Sequence, residues 1–190
     1  MEKIGIVTVL YNSEKVLEDF FNTLNIQTYK NFKLFVIDNQ SPDNSLNKAR
    51  ELAKSVFFET HFIANSGNYG VAKGNNQGIL AAIEDNCEYV LLANNDIVLK
   101  KDTINLLYKG LKESNTLVSV PKIYYYNSNI IWCAGGKFNF FNGDNPHFGQ
   151  NQIDNDNYNV SKMVDYSPTC FMLIHKNVFN LVGIMDEKYF

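Results

Sequence analysis

Three polar clusters in this 190-residue chain have the make-up of a site for a phosphorylated ligand. Asn94-Asn95-Asp96 follows the apolar run Val90-Leu91-Leu92-Ala93 with no turn residue between. Side chains two positions apart share a side of an extended segment, so the Asn94 amide and the Asp96 carboxylate are expected to face one way. Oxygen donors of that kind suit Mg2+ or Mn2+ bridged to a diphosphate, and the same triplet also suits an Asx turn. Asp38, at the end of Leu34-Phe35-Val36-Ile37, can accept from a nucleobase N–H or a ribose hydroxyl; it can equally form a turn or cap a helix. Asp43 and Ser45 fit the capping role better. The glycines Gly67, Gly70, Gly74 and Gly78 match neither GxGxxG nor GxxxxGK[ST]. They suit a helix packed closely on a sheet through small residues. The amides of Asn75 and Asn76 and the cation of Lys73 add groups that can serve ligand oxygens or a phosphate.

Other candidates are weaker. His61, His147 and His175 share no ligand spacing, and only His147 lies in a polar loop. Trp132 and Tyr124-Tyr125-Tyr126 could stack on a sugar ring or form strand core. Asp186-Glu187 reads as a solvated pair. Cys87, Cys133 and Cys170 are odd in number with no CxxC, which indicates neither a disulfide framework nor a zinc site and suits a reduced, cytoplasmic chain.

The elements that must carry these groups follow from periodicity. Residues 4–10 are short and β-branched and read as a buried strand. Asn12 or Ser13 can cap a helix with Val16, Leu17, Phe20, Phe21 and Leu24 on its apolar face. Strand 34–37, helix 46–53, strand 56–63, helix 70–83, strand 89–93 and a helix starting at Asp102 continue the alternation. This is the pattern of parallel βαβ units. The predicted fold is α/β: a Rossmann-like, mostly parallel sheet flanked by helices, with a smaller mixed second half. There, 117–126 and 130–133 read as strands, 139–159 as a long polar loop, 171–174 as a strand and 176–182 as a helix ended by Gly183. In such a sheet ligands bind beyond the carboxyl ends of the strands, where all three clusters fall.

Length bounds the chain to one domain, 1–190, with a ligand-binding half, 1–115, and a second half, 116–190. Hydrophobic residues at 45% permit a sizeable core, and a net charge of −3 leaves no basic footprint for nucleic acid. No apolar run is long enough to span a membrane. Peripheral attachment to a membrane, including the inner face of the cell membrane, is left open.

The segments in this order resemble glycosyltransferase family 2, the GT-A fold, and most of all its rhamnosyltransferase-like members. The matching stretches are Val7-Thr8-Val9-Leu10-Tyr11-Asn12, Val36 through Ser45, Asn68 through Gly78, Leu91 through Asp96, and Cys170 through Phe190. The resemblance implies that Thr8 and the backbone up to Tyr11 border the nucleotide and that Asp38 contacts the base. Asn68, Gly70, Asn75, Asn76 and Asn95 would line the nucleotide side. Asn94-Asn95-Asp96 would stand at the family's Asp-x-Asp motif, with Asp96 as the anionic metal ligand and Asn94 as a neutral one. The donor would be a nucleotide-diphosphate sugar with Mg2+ or Mn2+, and the acceptor a saccharide or lipid-linked saccharide of surface polysaccharide synthesis, attacked with inversion. Family members commonly continue past Asp186-Glu187 to a carboxylate pair that supplies the general base. No residue of this chain matches that pair, so the chain is expected to be shortened at its C-terminus. The alternative is a nucleotide-sugar-binding module without catalysis.

Overall fold

A computed structural model describes residues 1–190. Its elements in order are β1 (Ile4–Leu10), α1 (Leu17–Asn25), β2 (Phe32–Asp38), α2 (Ser45–Ala53), β3 (Glu59–Ala64), α3 (Gly70–Glu84), β4 (Tyr89–Ala93), α4 (Thr103–Glu113), β5 (Val118–Ser119), β6 (Ile123–Tyr124), β7 (Ile131–Cys133), β8 (Phe171–His175) and α5 (Asn177–Val182). The main sheet runs β3-β2-β1-β4-β8-β5, and β6 and β7 form a separate pair. Strands β1 to β4 are mutually parallel, whereas β8 enters antiparallel between β4 and β5. The architecture is the α/β, mostly parallel one that the alternation predicts.

The strands send alternate side chains to opposite layers. Ile4, Ile6, Leu34, Val36, Tyr89 and Leu91 pack with Leu17, Phe20 and Leu24 of α1 and Ile104 and Leu107 of α4. Val7, Phe35, Ile37, Val90 and Leu92 pack with Ile79 and Ala82 of α3 on the other face. A strand buried on both faces has no polar repeat, which is why β1, β2 and β4 read as continuous apolar runs.

Helix α3 lies unusually close to the sheet. A Cβ at Gly78 would sit 2.2 Å from Val7 Cγ1 and 2.7 Å from Ile37 Cδ1, and one at Gly74 would sit 2.9 Å from Val9 Cγ1. Across the same interface a Cβ at Gly5 would meet Ala82 Cβ at 2.5 Å. Glycine is used here for close approach, and the approach brings the start of α3 to the rim.

Three local expectations are corrected. Asn12 and Ser13 do not cap α1, whose N-cap is Val16 without a side-chain bond. Ser13 instead accepts from Val16 through its carbonyl and donates its own N–H to Ser45 Oγ at 2.7 Å. The 117–126 strand is two short strands around Pro121, which has no N–H to give a ladder. The third strand begins at Glu59 rather than at 56, because Phe57 and Phe58 turn into an aromatic cluster with Phe32. The 139–159 stretch is irregular, with single bridges Gly136–His147 and Ile130–Ile153.

Candidate nucleotide and metal site

The carboxyl ends of β1, β2 and β4 share one rim. Leu10 pairs with Asp38, and β4 runs beside β1 in the same direction to end at Ala93. The loops leaving these ends are tied together by short polar contacts. Asn12 N–H donates to Ser41 Oγ, and Glu14 N–H donates to Asp43 Oδ2 at 3.0 Å. Ser45 gives both its N–H and its hydroxyl to Asp43 Oδ1. Burial alone would raise the Asp43 carboxyl; the Ser45 hydroxyl and the N–H donors outweigh it and hold the group below its usual range. Asp43 and Ser45 are therefore structural. Asn12 and Gln40 take positive φ at 55° and 54°, a conformation Asn tolerates better than most residues.

A cleft of about 300 Å³ opens on this rim. It brings together Tyr11, Asn68, Gly70, Asn75, Asn94, Asn95 and Asp96 of the expected residues, and adds Ser13 and Asn39. Thr8 and Asp38 are not in its wall. They lie buried at the same strand ends, 1% and 3% exposed, and Thr8 Oγ1 and Asp38 Oδ1 have no hydrogen-bond partner. The other Asp38 oxygen accepts from Ser41 N–H at 3.2 Å. An unpartnered buried oxygen costs on the order of 1–3 kcal/mol, a cost a ligand could relieve.

Asn76 departs from its expected place. Its side chain is 1% exposed and spent on the C-terminal segment: it donates to Met185 O at 2.9 Å and Glu187 Oε1 at 3.0 Å and accepts from Met185 N–H at 2.9 Å. A helix turns 100° per residue, so Asn75 and Asn76 cannot serve the same side, and only Asn75 faces the cleft. Asp186 and Glu187 are both exposed, as a solvated pair would be, and Glu187 in addition accepts from Asn76. Lys73 lies over the Tyr69 ring at 4.6 Å instead of standing free for a phosphate. His147 packs between Trp132 and Tyr166, and His175 contacts Glu88 at 3.4 Å, which leaves both in structural roles.

Asn39 is the residue that the sequence argument passed over. It is 2% exposed and gives its side-chain N–H to Gly70 O at 3.0 Å, while its Oδ1 accepts from Asn65 at 2.8 Å. Asn65 and Gln77 exchange a reciprocal pair of amide bonds, 2.8 and 2.9 Å. Asn68 Oδ1 accepts from Gly70 N–H at 3.0 Å. This chain of amides fixes Gly70, whose φ of +81° only glycine adopts readily, at the mouth of α3. Its signal in the sequence was adjacency to Asp38 together with the run of amides from Asn65 to Gln77.

The Asn94-Asn95-Asp96 segment leaves β4 as a turn and not as extended strand, and Asn94 and Asp96 nonetheless line the same cleft. Other contacts position it. Asn94 N–H donates to Cys170 O at 2.8 Å, and Asn95 donates its side-chain amide to Val9 O at 2.7 Å. The Asp96 carboxylate and the Asn94 amide are exposed, and neither is engaged by a protein partner. Among the acidic, histidine and cysteine side chains, no group of three stands ready to hold a metal. One carboxylate and one amide oxygen are what Mg2+ or Mn2+ needs when a bound diphosphate completes the shell, so these residues fit a metal that arrives with its ligand. Burial first, then the nearby Cys133 and Asp96, push the Cys170 thiol up, which disfavours its thiolate.

The family described as Glycosyl transferase family 2 matches residues 5–179. Glycosyltransferase GlyG of Streptococcus pneumoniae is 26% identical over 198 residues, covering 100% of this chain and 62% of that protein. The dTDP-rhamnosyl transferase RfbF of Shigella flexneri is 26% identical, covering 97% of this chain and 57% of its own length. This chain thus spans less than two thirds of either relative. Among solved structures, the mannosyltransferase PcManGT from Pyrobaculum calidifontis in complex with GDP-Man and Mn2+ superposes with a TM-score of 0.69 at 14% identity, over 98% of this chain and 48% of that one. S. aureus TarS in complex with UDP gives 0.64 at 18% identity, over 98% of this chain and 51% of that one.

Proposed function

The chain belongs to glycosyl transferase family 2, and from that premise we propose that its rim cleft binds a nucleoside-diphosphate sugar whose glycosyl group passes with inversion to an acceptor hydroxyl. The observation that carries this reading is the single rim cleft that gathers Tyr11, Asn68, Gly70, Asn75, Asn94 and Asp96, with Asp38 buried at the neighbouring strand end. Asp38 is buried with one oxygen that no protein group engages, and the exposed Asp96 carboxylate faces the cleft. Asp38 accepts from the nucleobase, and Thr8 supplies a hydroxyl beneath it. Asn68, Asn75 and the Asn39-fixed Gly70 line the wall against which the ribose and phosphates lie. Asp96, with Asn94, holds Mg2+ or Mn2+, which when bound offsets the charge gathering on the leaving diphosphate. Asn95 holds that turn on β1. The rate gain comes from orientation and from a fixed charge field around the diphosphate.

The names of the relatives support a role in glycan assembly, and surface polysaccharide synthesis in the cytoplasm or at the inner membrane face is the setting we propose. No helix is long and apolar enough to cross a membrane. Calorimetry with UDP, GDP and dTDP, each with and without Mn2+, tests the donor site. One nucleotide should bind in the presence of Mn2+, and Asp96→Ala should remove the metal-dependent part. Binding that ignores both Mn2+ and Asp96 would overturn the assignment.

A further inference from the structure

The segment that follows α5 returns along helix α3 to the rim cleft, where Phe190 forms part of the wall with Gly70, Asn75 and Asp96. Resting on the reading of this cleft as the donor site, we propose that Phe190 packs on the bound nucleoside diphosphate at the mouth of α3. Asn76, which does not reach the cleft, is the positioning residue that holds Phe190 there.

The segment has one anchor on the body of α3. Gly183, at a φ of +83°, takes the chain out of α5, and Met185 packs on the layer of Val7, Ile37 and Ile79. Asn76 closes a reciprocal pair with the Met185 backbone, donating to its carbonyl and accepting from its N–H, both at 2.9 Å. Its second amide hydrogen goes to Glu187 Oε1 at 3.0 Å. A buried amide is costly to leave unpaired, so these bonds hold helix and segment in one register. A tight turn follows: Asp186 accepts from Lys188 N–H on its side chain at 3.0 Å and from Tyr189 N–H on its carbonyl at 3.3 Å.

The second seat is Gly70. A Cβ there would meet Phe190 Cα, its carbonyl carbon and its Cδ2, each at 3.1 Å, so the glycine also makes room for the Phe190 backbone. Asn39 and Asn68 fix Gly70 from the other side. Gly70 and Asn76 stand six residues apart on α3, about 9 Å along its axis. Phe190 follows Met185 by five residues, which the turn shortens, so the segment has little slack between its seats. Displacing the Asn76 anchor must therefore displace Phe190.

The Phe190 ring itself is 84% exposed. An apolar ring held in the wall of a cleft otherwise rich in amides gains most by covering an occupant, and the faces of a ribose or a base are the apolar surface a nucleotide offers. Covered in that way, the phosphate wall at Gly70 and Asn75 loses water, which strengthens the polar contacts made there.

The test joins two measurements on the full chain: calorimetry with UDP, GDP and dTDP in Mn2+, and the nuclear Overhauser contact between the Phe190 ring and the Gly70 α-protons. Phe190→Ala should weaken the bound nucleotide about tenfold, the effect of returning roughly a third of a phenyl ring to water, and Phe190→Tyr should hold affinity within about twofold. Asn76→Leu should abolish the Overhauser contact and weaken the nucleotide about tenfold, and joined with Phe190→Ala it should weaken it no further, because both act through one ring. Glu187→Ala, which leaves the core untouched, should give a smaller loss of the same kind and serves if Asn76→Leu does not fold. Unchanged affinity in Phe190→Ala, a persistent Overhauser contact in Asn76→Leu, or losses that multiply to about a hundredfold in the double variant would overturn the proposal. Absence of nucleotide binding by the unmodified chain would sink the donor reading itself, whereas binding indifferent to Phe190 would sink this inference alone.

Discussion

Asn95 donates its side-chain amide to the backbone carbonyl of Val9 at 2.7 Å, across the seam between β4 and β1. That one bond holds the Asp96 turn against the strand whose end borders the nucleotide cleft. Asn95→Ala should lower stability by about 1 kcal/mol and weaken Mn2+-dependent nucleotide binding about tenfold, because the carboxylate loses its support. Urea titration and calorimetry would separate the two effects; unchanged nucleotide affinity would remove Asn95 from positioning.

Asp38 should show the opposite sign in stability and in binding. Asp38→Asn removes a buried charge with an unpartnered oxygen and should leave stability equal or higher by about 1 kcal/mol. Nucleotide affinity should fall about tenfold, since an amide places a donor where the base needs an acceptor. A variant that is both less stable and equally tight would contradict the role given to Asp38.

Two helix glycines should respond in opposite ways. Gly78→Ala drives a Cβ to within 2.2 Å of Val7 and should cost about 1–3 kcal/mol, read as a lower urea midpoint. Gly110→Ala meets nothing within 4 Å and should raise stability by up to about 1 kcal/mol.

Acid should act partly through Glu2. The Lys112 ammonium donates to it at 2.7 Å, and with the Tyr108 hydroxyl it lowers the Glu2 carboxyl from 4.5 to about 2. A carboxyl lowered on folding contributes stability that is full above its unfolded value and lost as pH falls through the folded one. Glu2→Gln should therefore reduce the urea midpoint at pH 7. The difference from the unmodified chain should shrink between about pH 4.5 and 2 and be gone below that. Because the pair is partly exposed, the effect should also weaken in high salt.

Asn76→Leu should free the segment around Met185 and Glu187 from α3, by loss of three hydrogen bonds. Faster cleavage by protease C-terminal to α5, with the core intact, would show it. Equal cleavage would mean that apolar packing of Met185 alone holds the segment.

The chain's own periodicity determined the alternation of β1 to β4 with α1 to α4, because strands buried on both faces and helices with one apolar stripe leave unambiguous patterns. It also placed Asp38 and Asn94-Asn95-Asp96 at strand ends, and hence on one rim. Tertiary packing decided what happens at those ends. Whether Asn75 or Asn76 faces the cleft depends on how α3 is rotated over Val7 and Ile37, which two glycines set and no local pattern records. The burial of Thr8 and Asp38 at the strand ends and the amide chain through Asn39 both join residues from separate elements. Contacts of that kind exist only once the sheet has brought distant parts of the chain together.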